Sequence, residues 1–326
     1  MITLMKNLIC FISVLLATAA FAADSLPSWN EGETKTKLLR FITEAQIEGS
    51  DGYIMPSDRI ATFDNDGTLW SEQPMYFQLI FILERVTILA PENPAWKEQQ
   101  PFKAVLEKDR ATMKTFGAKE LSELMAATHA GMTEEEFADI VIEWMQTAKH
   151  PTTGKLYTEM TYQPMKELLQ ALRDGGFKTY IVSGGGISFM RPWVKEVYGI
   201  PPEQVVGSRI KVEYEVVEGK GMIRRTGEID FIDDKEGKPV GIYQVIGKRP
   251  VFASGNSDGD FQMLEYATTG EGPRLGVILH HTDAEREWAY DRDSHIGKLD
   301  RGLNEATARG WIVIDMKNDW KTIFGE

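Results

Sequence analysis

Three short apolar runs in this chain each stop abruptly at a polar turn that carries glycine. Ile60–Phe63 meets Asp64-Asn65-Asp66-Gly67-Thr68, residues 178–182 meet Ser183-Gly184-Gly185-Gly186, and residues 250–253 meet Ser254-Gly255-Asn256-Ser257-Asp258-Gly259-Asp260. An apolar, β-leaning run bounded in this way reads as a buried strand. In an open parallel sheet such strand ends gather along one edge, and ligands bind in the crevice there. Asp64 and Asp66 lie two apart at the end of an extended run, so alternation sends both to the same side.

The intervening segments supply the helices that such a sheet needs. Residues 34–46 suit a lead-in helix, followed by a loop over 49–56. Residues 75–149 read almost entirely as helix, with segments at 75–89, 102–115, 119–130 and Glu134–Thr147. Thr133 followed by Glu136 forms a capping box that marks the start of the last of these. Gln163–Asp174 places Met165, Leu168, Leu169 and Leu172 on one face, with Pro164 in its first turn and Gly175-Gly176 closing it. Residues 210–229 suit a β-hairpin, a helix begins near Pro239, and further strands are expected at 274–279 and 311–315. The predicted class is α/β: a Rossmann-like parallel sheet flanked by helices, with an inserted all-helical cap.

Residues 1–22 hold one basic residue, Lys6, then an apolar stretch ending in Ala20-Phe21-Ala22. This pattern predicts a cleaved secretory signal peptide, hence a periplasmic or secreted protein without a stable membrane anchor. The single cysteine, Cys10, falls inside that segment, so a mature chain starting near Ala23 would contain neither disulfides nor thiolate metal sites. The formal charge of −13, or −14 without residues 1–22, disfavours nucleic acid or an anionic membrane as the main partner. The expected organisation is a discontinuous core of residues 23–74 and 150–326 around a cap of residues 75–149. Oligomeric state is not legible in the sequence.

Asp64-x-Asp66-Gly67-Thr68 after an apolar strand and Ser183-Gly184 after a second resemble two motifs of the haloacid dehalogenase (HAD) superfamily. A lysine near a helix start and a Gly255-to-Asp260 loop after another strand complete the set, in family order. Most members hydrolyse phosphate esters through an aspartyl-phosphate. Met263-Leu264 after Asp260 is similar to the phosphoserine-phosphatase-like branch, and the long insertion after the first strand is similar to that family's type 1 cap. A calcium loop starting at Asp64 is the competing reading of the same residues, but it needs an acid at its twelfth position, where Met75 stands.

The resemblance implies a specific set of roles. Asp64 is the nucleophile and Asp66 the general acid and base, and the second aspartate favours phosphate esters over carbon–halogen bonds. Ser183, Gly184 and Lys238 bind phosphate, with Lys235 the rival of Lys238. Asp64, Asp66, Asn256 and Asp260 hold Mg2+. Asn256 stands where the family usually has an acid, so Asp258 is an alternative ligand, and the substitution of Asn256 by Asp is expected to tighten metal binding. The expected substrate is a small phosphorylated metabolite. A non-catalytic protein binding a phosphorylated ligand and a phosphotransferase are the competing functions. Trp70, Tyr76, Phe77 and Phe81 are expected to pack in the core, His280 and His281 not to form a metal pair, and residues 283–292 to be a solvated, charge-laced segment.

Overall fold

The computed structural model describes residues 24–325. The segment read as a signal peptide, residues 1–22, lies outside them. One sheet organises the chain. Its strands are β1 (Ile60–Phe63), β2 (Lys178–Gly186), β3 (Val205–Val217), β4 (Lys220–Phe231), β5 (Phe252–Gly255), β6 (Leu275–Thr282), β7 (Ala289–Tyr290) and β8 (Ile312–Asp315). The order is β4-β3-β2-β1-β5-β6-β7, with β8 also paired to β6. Pairing is parallel through the centre and antiparallel at β3–β4 and β6–β7, so the sheet is mixed rather than parallel throughout.

Alternation along the strands builds the two faces. Ile181, Phe252, Val277 and Leu279 join one apolar cluster, with the helices Glu33–Glu44 and Gln163–Asp174. Val182, Ala253 and Ile278 join the other, beneath Gly237–Val245 and Phe261–Thr268. Because Phe63 is in register with both Ile181 and Ser254, the ends of β1, β2 and β5 lie side by side.

Between β1 and β2 run the helices Phe77–Leu89, Phe102–Leu106, Arg110–Met113, Ala118–His129 and Glu134–Thr147. The last begins at the expected capping box: the Glu136 N–H donates to Thr133 Oγ1 at 3.1 Å, and the Thr133 N–H to Glu136 Oε2 at 2.8 Å. The single helix expected over 102–115 is instead two. Lys108 adopts a positive φ of 55°, and the Asp109 carboxylate accepts from the N–H groups of Ala111 and Thr112, which starts a new helix. The hairpin of β3 and β4 is longer than expected and reaches out to these helices. The Arg225 N–H donates to the Met132 carbonyl at 2.9 Å, and the Gly131 N–H to the Arg225 carbonyl at 3.0 Å.

Candidate active site

Asp64 is the first residue beyond β1, and its backbone N–H still donates to Ser254 O at 2.9 Å, continuing the ladder to β5. The chain then turns tightly, with the N–H groups of Thr68 and Leu69 both donating to Asn65 O. Gly67 has φ +73°, and a Cβ there would overlap both Asn256 and Glu72, so only glycine fits this turn. Asp66 Oδ1 accepts from Trp70 Nε1 at 2.8 Å. Enclosure raises the Asp66 carboxyl to about 6, although the Trp70 N–H favours its charged form.

Lys238 sits beneath this turn, 2% exposed. Its Nζ donates to Asp64 Oδ1 at 2.7 Å, Val182 O at 2.8 Å and Asp260 Oδ1 at 2.5 Å, which uses all three of its protons. Burial opposes its charge, but Asp260 and Asp64 outweigh burial and hold the lysine protonated. Burial and the Asp260 charge hold Asp64 well above the usual carboxylate range, against the pull of Lys238. The rival Lys235 is exposed. Asp260 Oδ2 accepts from the backbone N–H groups of Asn256 and Ser257, each at 3.0 Å, so Asp260 braces both the lysine and its own loop. Asp258, the alternative ligand, is engaged with a neighbouring helix. Its carboxylate accepts from the N–H groups of Asp300, Arg301 and Gly302, capping the short helix that follows.

A bulge brings β2 into the site. Ser183 pairs with Gly207 while Gly186 pairs with Ser208, so Gly184 and Gly185 are displaced from the ladder. A Cβ on Gly185 would lie 3.6 Å from Asp66 Oδ2. Ser183 Oγ accepts from the Gly185 N–H at 3.1 Å, and Gln78 Oε1 accepts from the Gly186 N–H at 2.7 Å, which ties the first turn of Phe77–Leu89 to the bulge. The residues singled out in the sequence therefore come together: Asp64, Asp66, Ser183, Gly184, Asn256 and Asp260 lie at or just beyond adjoining strand ends, and Lys238 reaches them from the first turn of the helix Gly237–Val245.

Glu72 was not among them. It is 2% exposed, and its Oε1 accepts from Asn256 Nδ2 at 2.6 Å and from the Tyr290 hydroxyl at 2.8 Å. Burial pushes its carboxyl well up, and the charges of Asp66 and Asp64 add to the rise. Thr68 Oγ1 donates to Asn256 Oδ1 at 3.1 Å, so both ends of the Asn256 amide are oriented. Asp64, Asp66, Glu72 and Asp260 thus share one enclosed site, in which Lys238 pairs with Asp64 and Asp260. Lys238 engages only Oδ1 of Asp64, and no described group bonds Oδ2. This excess of negative charge and an all-oxygen donor set fit a hard divalent cation. Among the described residues no three His, Cys, Asp or Glu side chains form a metal cage.

The segment expected to be solvated instead supports the turn. Asp283 and Glu287 are buried, the former paired with Arg286. Glu287 Oε1 accepts from Ser71 Oγ at 2.7 Å and the Tyr162 hydroxyl at 2.8 Å, while Oε2 lies 3.2 Å from His281 Nδ1. His281 Nε2 is 2.7 Å from Gly67 O, so this histidine holds the acidic turn. Nothing local in residues 283–292 distinguishes the buried acids from surface ones. Trp70, Phe77 and Phe81 are core residues as expected, while Tyr76 is 38% exposed. The indole of Trp70 stacks on Trp193 at 4.5 Å.

Residues 61–265 match the family model described as haloacid dehalogenase-like hydrolase. Solved structures similar to this chain include a protein of unknown function from Bordetella pertussis Tohama I, 19% identical, covering 79% of this chain and 98% of that one with a TM-score of 0.47. A conserved functionally unknown protein from Anaerococcus prevotii DSM 20548 is 17% identical over 79% of this chain and 88% of its own, with a TM-score of 0.49. A phosphoserine phosphohydrolase-like protein from Francisella tularensis subsp. tularensis SCHU S4 is 20% identical over 77% and 98%, with a TM-score of 0.37. No curated protein matches the chain.

Proposed function

The chain belongs to the haloacid dehalogenase-like hydrolases, and from that premise we propose that it is an exported, magnesium-dependent phosphatase acting on a small phosphomonoester. The observation that carries this reading is the grip of Lys238 on Asp64 and Asp260 beside Asp66. It fixes one oxygen of Asp64 and leaves the other for attack, with a carboxylic acid two residues away.

In the first step Asp64 Oδ2 forms a bond to phosphorus as the ester P–O bond breaks, and Asp66 gives its proton to the leaving oxygen. A carboxyl titrating near 6 is suited to that exchange close to neutral pH. In the second step Asp66 takes a proton from water as that water attacks phosphorus, which releases phosphate and restores Asp64. Ser183 and the backbone of the Gly184 bulge would receive the transferring group, while Lys238, its three protons already given to Asp64, Asp260 and Val182 O, contributes its charge and the placement of Asp64; such positioning and charge stabilisation supply most of the catalysis in phosphoryl transfer. A bound magnesium ion, held by the Asp64 carboxylate, the Asp66 backbone carbonyl and the Asn256 side-chain oxygen, would offset the repulsion between carboxylate and phosphate. Glu72 accepts from the Asn256 amide nitrogen, which leaves the amide oxygen as the end that would meet the ion.

The test is hydrolysis of an aryl phosphate by the protein lacking residues 1–22, with and without magnesium, beside Asp64→Asn. Metal-dependent turnover that falls by about 10⁴-fold or more in the variant is expected. A folded protein inert toward several esters with magnesium, manganese and cobalt would favour a binding protein for phosphorylated ligands instead.

A further inference from the structure

Behind the acidic turn, β6 and β7 set His281 opposite Tyr290 as a cross-strand pair. Their rings stack at 4.3 Å, inclined by 19°. Neither residue holds the metal or moves a proton in the reaction above, yet each leads to a residue that would hold the metal.

The partners of His281 fix its protonation. Nε2 lies 2.7 Å from Gly67 O, a carbonyl, which can only accept. Nδ1 lies 3.2 Å from Glu287 Oε2. The Glu287 carboxylate already receives the Ser71 and Tyr162 hydroxyls on Oε1 and the Trp288 N–H on Oε2, so it too acts as an acceptor. Burial pushes the Glu287 carboxyl up, but His281 and these donors outweigh burial and hold it below its ordinary value. Both ring nitrogens of His281 therefore carry protons. An imidazolium and a carboxylate are buried as a pair, with the Tyr290 ring across the face of the cation.

His281 stiffens the turn where it is weakest. Glycine resists backbone rotation less than any other residue. The Gly67 N–H donates to Trp70 O at 2.8 Å and His281 donates to Gly67 O, so the peptide planes on both sides of Gly67 are held. The Asp66 carbonyl belongs to the first of those planes. Tyr290 acts on the other ligand. Its hydroxyl donates to Glu72 Oε1 at 2.8 Å, and the same oxygen accepts from Asn256 Nδ2 at 2.6 Å, which turns the Asn256 oxygen the other way.

We infer that protonated His281 and Tyr290 are positioning residues that aim the two neutral metal ligands, the Asp66 carbonyl and the Asn256 side-chain oxygen. The inference rests on the magnesium site of the phosphatase reading above. Asp64 is placed independently, by Lys238. Outer-shell partners of this kind are worth on the order of 10- to 100-fold in metal affinity.

Two measurements test this. Nitrogen-resolved NMR of the metal-free protein at pH 7 should show both ring nitrogens of His281 protonated, the ring being assigned through its contact with Tyr290; a bare nitrogen overturns the inference. Tyr290→Phe keeps the stacked ring and removes only the hydroxyl. Calorimetry should find its magnesium affinity lowered on the order of 10-fold, with half-maximal turnover of an aryl phosphate needing correspondingly more magnesium and KM for the ester at saturating magnesium unchanged. His281→Gln should weaken magnesium binding as well, but it leaves Glu287 buried without its counter-charge, so a failure to fold is decided by Tyr290→Phe. A Tyr290→Phe protein that is less stable yet binds magnesium as the native protein does overturns the inference and leaves the phosphatase reading standing. Native protein that binds magnesium but hydrolyses no ester sinks the phosphatase reading, while the calorimetry still decides the roles of His281 and Tyr290. Native protein that binds no magnesium overturns the inference.

Discussion

The two sides of the Gly184–Gly186 bulge treat buried polar groups in opposite ways. Toward Asp66, side chains that could not be buried alone are bound to one another: Lys238 to Asp64 and Asp260, Asn256 to Glu72 and Thr68, His281 to Gly67 and Glu287. Toward the helices and the hairpin, His129 Nε2 is unpartnered, and beside Gly241 so are both carboxylate oxygens of Asp233, a residue with no exposed surface. Pairing holds charge in place where phosphate chemistry is proposed. An orphan group has one of two meanings, depending on what it faces. The His129 residue borders a cavity although its Nε2 is enclosed, whereas a Cβ on Gly241 would touch Asp233, which faces packed protein.

The largest expected effect comes from unpairing the paired side. Lys238→Met would leave Asp64 and Asp260 buried together without their counter-charge, and breaking such a pair costs about 3–5 kcal/mol. Urea unfolding at pH 7 should register this loss, and a variant as stable as the native protein would mean that the three-way grip is not structural. Relieving the orphan on the other side should do the reverse. Burial pushes the Asp233 carboxyl up to about 7, against the pull of Lys238 and Arg209. The native state therefore keeps a proton that the unfolded chain releases near 3.8, so stability is full below that pH and falls as pH rises toward 7. The gap is worth roughly 4 kcal/mol at most. Asp233→Asn should match the native protein near pH 4 and exceed it progressively up to pH 8, and parallel stability curves for the two would refute the assignment.

A smaller effect sharpens the contrast within the paired side. Read from the motif alone, Asn256→Asp restores the usual acid and tightens metal binding. With Glu72 Oε1 only 2.6 Å from the amide nitrogen, the same change sets two carboxylates against each other. Magnesium affinity measured by calorimetry should therefore fall, on the order of 10-fold, and recover in the double variant with Glu72→Gln. Tighter binding in Asn256→Asp alone would show that Glu72 does not serve this site.

How much of this was legible in the sequence follows from the range of each interaction. Glu134–Thr147 and Gln163–Asp174 have the expected bounds because caps, periodicity and terminating glycines are local signals. The residues of three motifs converge because each ends or follows a parallel strand, and a parallel sheet aligns strand ends whatever separates them in sequence; Lys238 joins them from a helix start that Pro239 marks. Glu72 was invisible for the opposite reason: its partners Asn256 and Tyr290 are 184 and 218 residues away. The buried Glu287 was lost in the same way, since a charged run carries no mark of the Ser71 and Tyr162 hydroxyls that satisfy it. The cavity needs the hairpin folded against Ala118–His129, a contact that no periodicity within either element encodes.

The central claim, that Asp64 carries the phosphoryl group and Asp66 clears it, is tested most directly in Asp66→Asn. An aryl phosphate needs little help from an acid to leave, so the first step should survive in this variant while the second stalls. Acid quenching after mixing with labelled aryl phosphate and magnesium should then recover close to one phosphoryl group per chain, mapped to Asp64 by mass spectrometry. Release of free phosphate with no label on the protein, persisting when Asp64 is also replaced by Asn, would contradict the account.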